Sequence, residues 1–313
     1  MAPLPATTTL SPTVLAIYRA YEAANEQWDS LGISVGEIGN PCDRALYYNL
    51  RWASAPEQVE GRKVSIFRTG DMWEERMAAD LEAIGVEVWG QQERIRLASG
   101  HVRGKIDGRA LGIIEAPKTE HLMEFKSSNA KAFAKIKKDG VRKAKPLHFA
   151  QCQIGMHALG LSRAGYMVTN KDDDERYFER VEYDADYCLR TLARAERIIF
   201  NDEPPAKLHE DPNHKMAFEC GWCRHRGVCH EGAMPRVTCR SCLHASPERH
   251  GDGAWSCQRW MKPLGLDEQR EACPTHLWIP ALVDGEQVDC DESAGTVTYR
   301  LRSGEIYVDG ASA

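Results

Sequence analysis

Asp107, Glu124 and Lys126 are residues whose types and spacing suit chemistry on a phosphodiester. Carboxylates are hard oxygen ligands for Mg²⁺ or Mn²⁺; such an ion polarises a phosphate and acidifies water, and a neighbouring ammonium steadies the charge that develops. A Glu-x-Lys triplet is also common on solvated strands, so the elements around it have to supply the specificity.

Residues 101–126, HVRGKIDGRALGIIEAPKTEHLMEFK, read as a β-hairpin bearing acids. Alternating apolar residues run into Asp107, a turn-prone stretch follows from Glu115 to Thr119, and a second apolar run carries Glu124, Phe125 and Lys126. Strand alternation puts Glu124 and Lys126 on one face and Phe125 on the other, toward a core. A partner strand ending at Asp107 then gathers two carboxylates and one ammonium at one end of a sheet.

The flanking elements are legible in the same way. Ser11-Pro12 is an N-cap followed by proline at the first helical position, opening a packing helix through about Trp28, after a small, Pro-rich and disordered tail over residues 1–10. Residues 33–51 give a short strand, then Gly39-Asn40-Pro41, then Cys42 at the mouth of a helix with Arg44, Tyr47 and Tyr48. Met72, Trp73, Met77, Leu81 and Ile84 recur at helical spacing, with Glu74 and Glu75 in the first half of that helix. Residues 86–97 read as one further strand.

Beyond Lys126 the chain turns basic, with Lys131, Lys135, Lys137, Lys138, Arg142, Lys143 and Lys145 opposed only by Asp139. A charge run of this kind is a solvated face or a track for a nucleic-acid backbone; beside a phosphodiester site the second reading is preferred, with Ser127 and Ser128 adding phosphate contacts at the helix entrance. A helix over 146–160 carries Phe149, Cys152, Met156 and Leu159 on one stripe, and Gln151 beside it. Strands over 164–169 and 176–181 and a helix over 187–200 close the core.

The chain has 313 residues, 42% hydrophobic and 27% charged, with a net charge of -6. That is ordinary for a soluble globular protein of two domains or one elaborated domain. No apolar run reaches membrane-spanning length, and Arg19 interrupts the only candidate signal segment, so a cytoplasmic protein of a bacterial or phage-infected cell is expected. The net charge does not announce a nucleic-acid binder, yet a local basic face is compatible with it.

Eleven cysteines in such a chain argue for metal sites over disulfides. Cys220, Cys223 and Cys229, spaced C-x2-C-x5-C, are too close together to be independent core residues. Further on, Cys239 and Cys242 form a knuckle that Cys257 and Cys273 complete as a four-thiolate Zn²⁺ site, with His276 as an alternative fourth ligand. A segment this short and rich in Gly, Pro and Arg buries little core, so a structural metal is its plausible stabiliser, with Trp255, Trp260 and Trp278 as a mini-core. The chain then ends in two strands joined around Ser303-Gly304; Cys290 has no evident partner.

The order of these features resembles the PD-(D/E)xK nuclease superfamily, in particular its RecB-like and CRISPR-associated iron-sulfur exonuclease branch. The resemblance runs from about Ile33 to His230: Cys42 followed by Asp-Arg, the FRTG phrase and its acidic helix, Asp107, Glu124-Phe125-Lys126, a helical glutamine, then the cysteine trio. Ile106 stands where the motif name has proline, and Gly155 where the family has tyrosine one turn after the glutamine. The resemblance implies that Glu74, or Glu75 in a shifted register, joins Asp107, Glu124 and Phe125 at the divalent metal. It also implies that Lys126 and Gln151 position water or phosphate, and that Cys42, Cys220, Cys223 and Cys229 bind a 4Fe-4S cluster that ties the chain's ends together. Zinc at those four thiolates, or a site closed by His225 or His230, stays open on ligand chemistry.

The expected architecture is an α/β, restriction-endonuclease-like core with a mixed central sheet flanked by helices, plus a small β-rich C-terminal zinc module. Its divisions are an N-terminal tail and packing helix (residues 1–32), the nuclease core (33–232) and the zinc module with a C-terminal β-hairpin (233–313). The expected activity is metal-dependent exonucleolytic hydrolysis of DNA, at single strands or free ends, in recombination, repair or phage DNA processing. Lys131, Lys135, Lys138, Arg142 and Lys143 would bind the backbone, and a recombination or replication protein is a possible partner. A restriction-like or structure-specific endonuclease shares the same core residues, and a non-catalytic DNA-binding assembly module is the third reading.

Overall fold

A computed structural model describes residues 10–26 and 29–310. Helix α1 (Pro12–Ala24) starts as its sequence requires: Pro12 needs no N–H partner, and Ser11 Oγ accepts a hydrogen bond from the Val14 N–H at 3.3 Å. It stops at Ala24, short of the expected end; Trp28 and residues 1–9 of the expected tail lie outside the described residues. There follow β1 (Ile33–Ser34), α2 (Asp43–Arg51) and the long α3 (Gly61–Ala83).

The segment expected as one strand over 86–97 is two, β2 (Glu87–Trp89) and β3 (Arg94–Leu97), in different sheets. Gly90, at φ 68°, and Gln92, at φ 61°, lie in the turn between them, where no extended strand can continue. The expected hairpin around Asp107 is also divided. β4 (Val102–Lys105) pairs with β3 and with β1, whereas β5 (Gly108–Leu111) pairs with β6 (His121–Ser128). The hairpin is therefore β5–β6, and Asp107 stands where the chain crosses from one sheet to the other rather than at a strand's end.

Helices α4 (Ala130–Ala144) and α5 (Pro146–Leu159) lead to β7 (Arg163–Asn170), β8 (Arg176–Glu182) and α6 (Ala185–Ile199). The five-stranded sheet has the order β2-β5-β6-β7-β8, with β6 and β7 parallel and the other pairs antiparallel. Its two faces are separated by alternation. Met123 and Phe125 pack with Met77 and Leu81 of α3, while Leu122 and Tyr166 belong to the core formed with Phe133 and Ile136 of α4 and Ile154 of α5. Burying side chains of this size contributes about 1.5–3 kcal/mol each, which fixes the register of β6. The mixed sheet with helices on both sides is as the sequence led one to expect.

The rest of the chain adds α7 (Arg226–His230), a small sheet of β9 (Ala245–Pro247), β10 (Trp255–Cys257) and β11 (Lys262–Pro263), then α8 (Leu266–Glu271). It closes with a three-stranded meander, β12 (Gly285–Asp291), β13 (Thr296–Leu301) and β14 (Ile306–Asp309), one strand more than expected. Trp255 and Trp278 are buried, but Trp260 is 54% exposed and is no part of a mini-core. Trp255, Cys257 and Leu264 belong to the same buried cluster as the central core. Two buried arginines bind this region to α2. Arg51 donates to the Ala245 carbonyl at 2.8 Å, and Arg240 donates to the Leu50 carbonyl at 3.2 Å and lies over the Trp52 ring. Among the described residues no helix is long and apolar enough to cross a membrane.

Candidate active site and cysteine-lined cavities

Glu124 and Lys126 sit two apart on β6, so both project from the same face, and Phe125 between them is 1% exposed on the other. Asp107 reaches them from the sheet crossing. Its Oδ2 accepts a hydrogen bond from the Phe125 N–H at 2.8 Å and lies 3.4 Å from Lys126 Nζ. Lys126 also makes a short ion pair with Glu124 Oε1 and donates to the Phe125 carbonyl at 3.0 Å. The ammonium thus lies among two carboxylates and one carbonyl, a set of hard oxygen donors that suits a divalent cation equally well.

Glu74 comes from α3, half-buried, with Gln92 donating to its Oε2 at 3.3 Å. Burial and then the charge of Asp107 push its carboxyl up to about 7, against the pull of Lys126. Glu75 is exposed on the same helix, so Glu74 is the acid that shares the field of Asp107 and Lys126. Burial likewise raises Glu124, which is 2% exposed; Lys126 opposes the shift and Asp107 adds to it. Burial disfavours the Lys126 ammonium, but Glu124 and Asp107 outweigh it and hold the lysine above its usual range. The site therefore carries more potential negative charge than one lysine neutralises.

Two residues that the sequence did not single out stand beside it. Tyr166 is the β7 register partner of Glu124, fully buried, and its hydroxyl lies 2.7 Å from His148 Nδ1. Burial, Lys126 and Lys145 push His148 down to about 3, so its ring is neutral. The only sequence signal was that His148 lies one turn before Gln151 on α5. Gln151 is half-buried, and no described residue hydrogen-bonds to its amide. A Cβ on Gly155 would lie 2.6 Å from Leu122 Cδ2, so a larger residue there requires Leu122 or α5 to shift.

The basic residues expected to bind a backbone lie on α4. Lys131, Lys135 and Lys138 are exposed and have no acidic partner among the described residues. Lys137 pairs with Glu175, Arg142 with Asp184 at 3.1 Å and Lys143 with Asp139 at 3.5 Å. Gly140, at φ 70°, breaks the helix, so Arg142 and Lys143 do not continue the face of the first three. Asn129, rather than either serine, caps α4; Ser127 and Ser128 end β6.

The cysteines gather in two places. Cys42, Cys220, Cys223 and Cys229 line one small cavity with Arg44 and Lys207, although Cys42 is far from the others in sequence. Cys42 caps α2, its Sγ accepting from the Ala45 N–H at 3.4 Å. His225 lines the cavity too, but its ring nitrogens contact Ser54 Oγ at 2.9 Å and Asn49 Oδ1 at 2.8 Å; His230 Nε2 is 3.8 Å from Cys220 Sγ. Cys239, Cys242, Cys257 and Cys273 line the second cavity, with His276. Burial, followed by neighbouring thiols, pushes Cys239 up to about 11; burial does the same to Cys229, against Arg44 and Lys207. A bound cation is what lets such clustered thiols ionise together. Cys290 is exposed and joins neither group. Among the described residues, no three His, Cys, Asp or Glu side chains already stand in metal-holding geometry.

No family model and no curated protein sequence matches the chain. Among solved structures it is similar to an alkaline exonuclease (LHK-Exo) from Laribacter hongkongensis, at 14% identity and a TM-score of 0.42, covering 67% of this chain and 97% of that one. LHK-Exo in complex with dAMP gives 13% and 0.41, with the same coverage. The structure of SSO0001 gives 13% and 0.41, covering 70% of this chain and 96% of that one. These likenesses are weak.

Proposed function

We propose that the chain is a divalent-metal-dependent deoxyribonuclease of the PD-(D/E)xK type, acting on single strands or free ends. The observation that carries this reading is the convergence of Asp107, from the crossing between two sheets, with Glu124 and Lys126 of β6 at one point in the field of Glu74. Glu74, Asp107, Glu124 and the Phe125 carbonyl would hold Mg²⁺ or Mn²⁺, which when bound supplies Lewis-acid polarisation of the scissile phosphate.

The chain's own residues perform the remaining work. Lys126, kept protonated by its acids, orients the attacking water and offers N–H donors to the negative charge that grows on phosphate oxygen. Asp107 fixes that ammonium and, through the Phe125 N–H, fixes β6 against the sheet crossing. Gln151, whose amide no described residue engages, positions water or phosphate. Lys131, Lys135 and Lys138 hold the backbone in a salt-dependent, sequence-independent manner, with Arg142 and Lys143 reaching it from beyond the break at Gly140.

In the same reading Cys42, Cys220, Cys223 and Cys229 bind a 4Fe-4S cluster, and Cys239, Cys242, Cys257 and Cys273 bind Zn²⁺. Both are supported by the gathering of each quartet around one cavity. The roles in recombination, repair or phage DNA processing follow from the same resemblance. Incubating linear and covalently closed circular DNA with the protein in Mn²⁺ and in EDTA tests the activity. Mn²⁺-dependent loss of linear DNA alone is the expected result; no cleavage of either form contradicts it, and cutting of the circle replaces exonuclease by endonuclease.

A further inference from the structure

The outer face of the three-stranded sheet β1-β4-β3 carries charge that no described residue fully compensates. On β3, Ile95 faces the core while Arg94 and Arg96 face out; on β4, Arg103 and Lys105 share the outer face. The antiparallel register sets Arg94 directly opposite Lys105 and Arg96 directly opposite Arg103. Like charges opposed across a ladder are destabilising unless something anionic lies over them. Among the described residues this is supplied at one pair: Arg96 makes an ion pair with Asp252, and Arg103 donates to the Asp252 carbonyl. Arg94 and Lys105 are exposed and have no partner among the described residues.

The position of that pair matters. The ladder continues past it through the Ile106 N–H to the Glu93 carbonyl, at 3.0 Å, and the Gln92 N–H to the Ile106 carbonyl, at 2.9 Å. Gln92 is the residue that holds Glu74, and Lys105 is two residues before Asp107. Ser34 of β1 pairs with Arg103, so it shares the groove with Arg94, Arg96 and Lys105. Residues directly opposed across an antiparallel pair have Cβ atoms about 4.5–5.5 Å apart, and from there side chains as long as those of Arg94 and Lys105 can splay to reach neighbouring phosphates of one strand.

We propose that this face is a backbone track, in which Arg94 and Lys105 bind consecutive phosphates of the single strand whose next phosphodiester enters the acidic site. The inference rests on the nuclease reading of that site and adds a contact surface separate from α4. Phosphate contacts of this kind give affinity and register without sequence preference.

The test measures binding of a fluorescein-labelled oligothymidylate in EDTA by anisotropy across a KCl series, with wild type, Arg94→Ala/Lys105→Ala and Lys131→Ala/Lys135→Ala. Hydrolysis of the p-nitrophenyl ester of thymidine 5′-phosphate in Mn²⁺ is followed in parallel, because so small a substrate reaches the acids without the track. In the Arg94/Lys105 variant the slope of log K against log[KCl] should shrink by about 1.4, two contacts at about 0.7 each, with hydrolysis of the ester unchanged. An unchanged slope in this variant overturns the track, whatever the Lys131/Lys135 variant does. Ester hydrolysis that survives Asp107→Asn overturns the nuclease reading separately and leaves the slope as its own result.

Discussion

Asp107 Oδ2 accepts a hydrogen bond from the Phe125 N–H at 2.8 Å, joining the point where the chain passes between two sheets to the strand that carries Glu124 and Lys126. One oxygen therefore serves the fold and the site together, since it is also the oxygen 3.4 Å from Lys126 Nζ. Side-chain oxygen in place of a ladder carbonyl is what lets β4 and β5 part here without leaving the β6 N–H unpaired.

Lys126→Met should destabilise the metal-free protein by about 3–5 kcal/mol, because Glu124 stays buried beside Asp107 without its counter-charge. Adding Glu124→Gln to that variant should restore much of the loss. Urea denaturation of the three proteins checks this; additive losses in the double variant would show that the two side chains are not coupled.

Metal uptake should depend on pH in a defined direction. The Glu74 carboxyl, raised from 4.5 to about 7, keeps a proton in the folded chain that the unfolded chain loses. Stability of the metal-free protein therefore falls as pH rises between those values. A cation must displace that proton, so Mn²⁺ affinity should rise up to about pH 7 with proton release at the lower pH, and rise further to about pH 8 as the raised Glu124 carboxyl loses its own proton. Calorimetry in two buffers of different ionisation enthalpy measures both, and Glu74→Gln should weaken the dependence below pH 7, leaving the part due to Glu124; an unaltered dependence in that variant would show that Glu74 is not a ligand.

Gly155→Tyr, the residue that the family pattern would place there, should cost about 1–3 kcal/mol by driving α5 away from Leu122. A thermal midpoint equal to that of the wild type would mean that the helix has room the close approach denies.

Much of this was legible in the sequence, and what was not has physical causes. Alternation placed Phe125 opposite Glu124 and Lys126, because one-sided burial leaves a period of two. Capping chemistry gave the start of α1, and thiol spacing gave the trio at Cys220, Cys223 and Cys229. The division of residues 86–97 between two sheets was hidden, since strand pairing is a long-range property that local composition does not encode. The same holds for the break at Asp107 and for the closeness of Gly155 on α5 to Leu122 on β6. His148 and Tyr166 were missed because their association crosses from helix to strand, and the buried Arg51 and Arg240 were missed because their carbonyl partners lie far away in sequence.

Cys42→Ser and Cys223→Ser should each lower the metal content of the first cavity and loosen the contact between the chain's ends, whereas Cys290→Ser should change neither. Iron, sulfide and zinc analysis of anaerobically purified protein reads the first effect and limited proteolysis the second. Iron with sulfide at this cavity supports the cluster; zinc without iron assigns the four thiolates to zinc, and unaltered metal content in Cys42→Ser separates that residue from the trio.

The most direct measurement is Mn²⁺-dependent release of nucleotides from end-labelled linear DNA by wild type, Asp107→Ala and Lys126→Ala, each shown to be folded by its circular dichroism. Loss of the donors that act on the developing charge is worth about 10²–10³ in rate. Lys126→Ala should therefore fall at least that far below the wild type, and Asp107→Ala, which loses a metal ligand and the acid that fixes Lys126, should fall too, while binding of the DNA in EDTA persists. Release by either variant at the wild-type rate would contradict the account, because the acids and lysine that meet at the sheet crossing would then be structural alone.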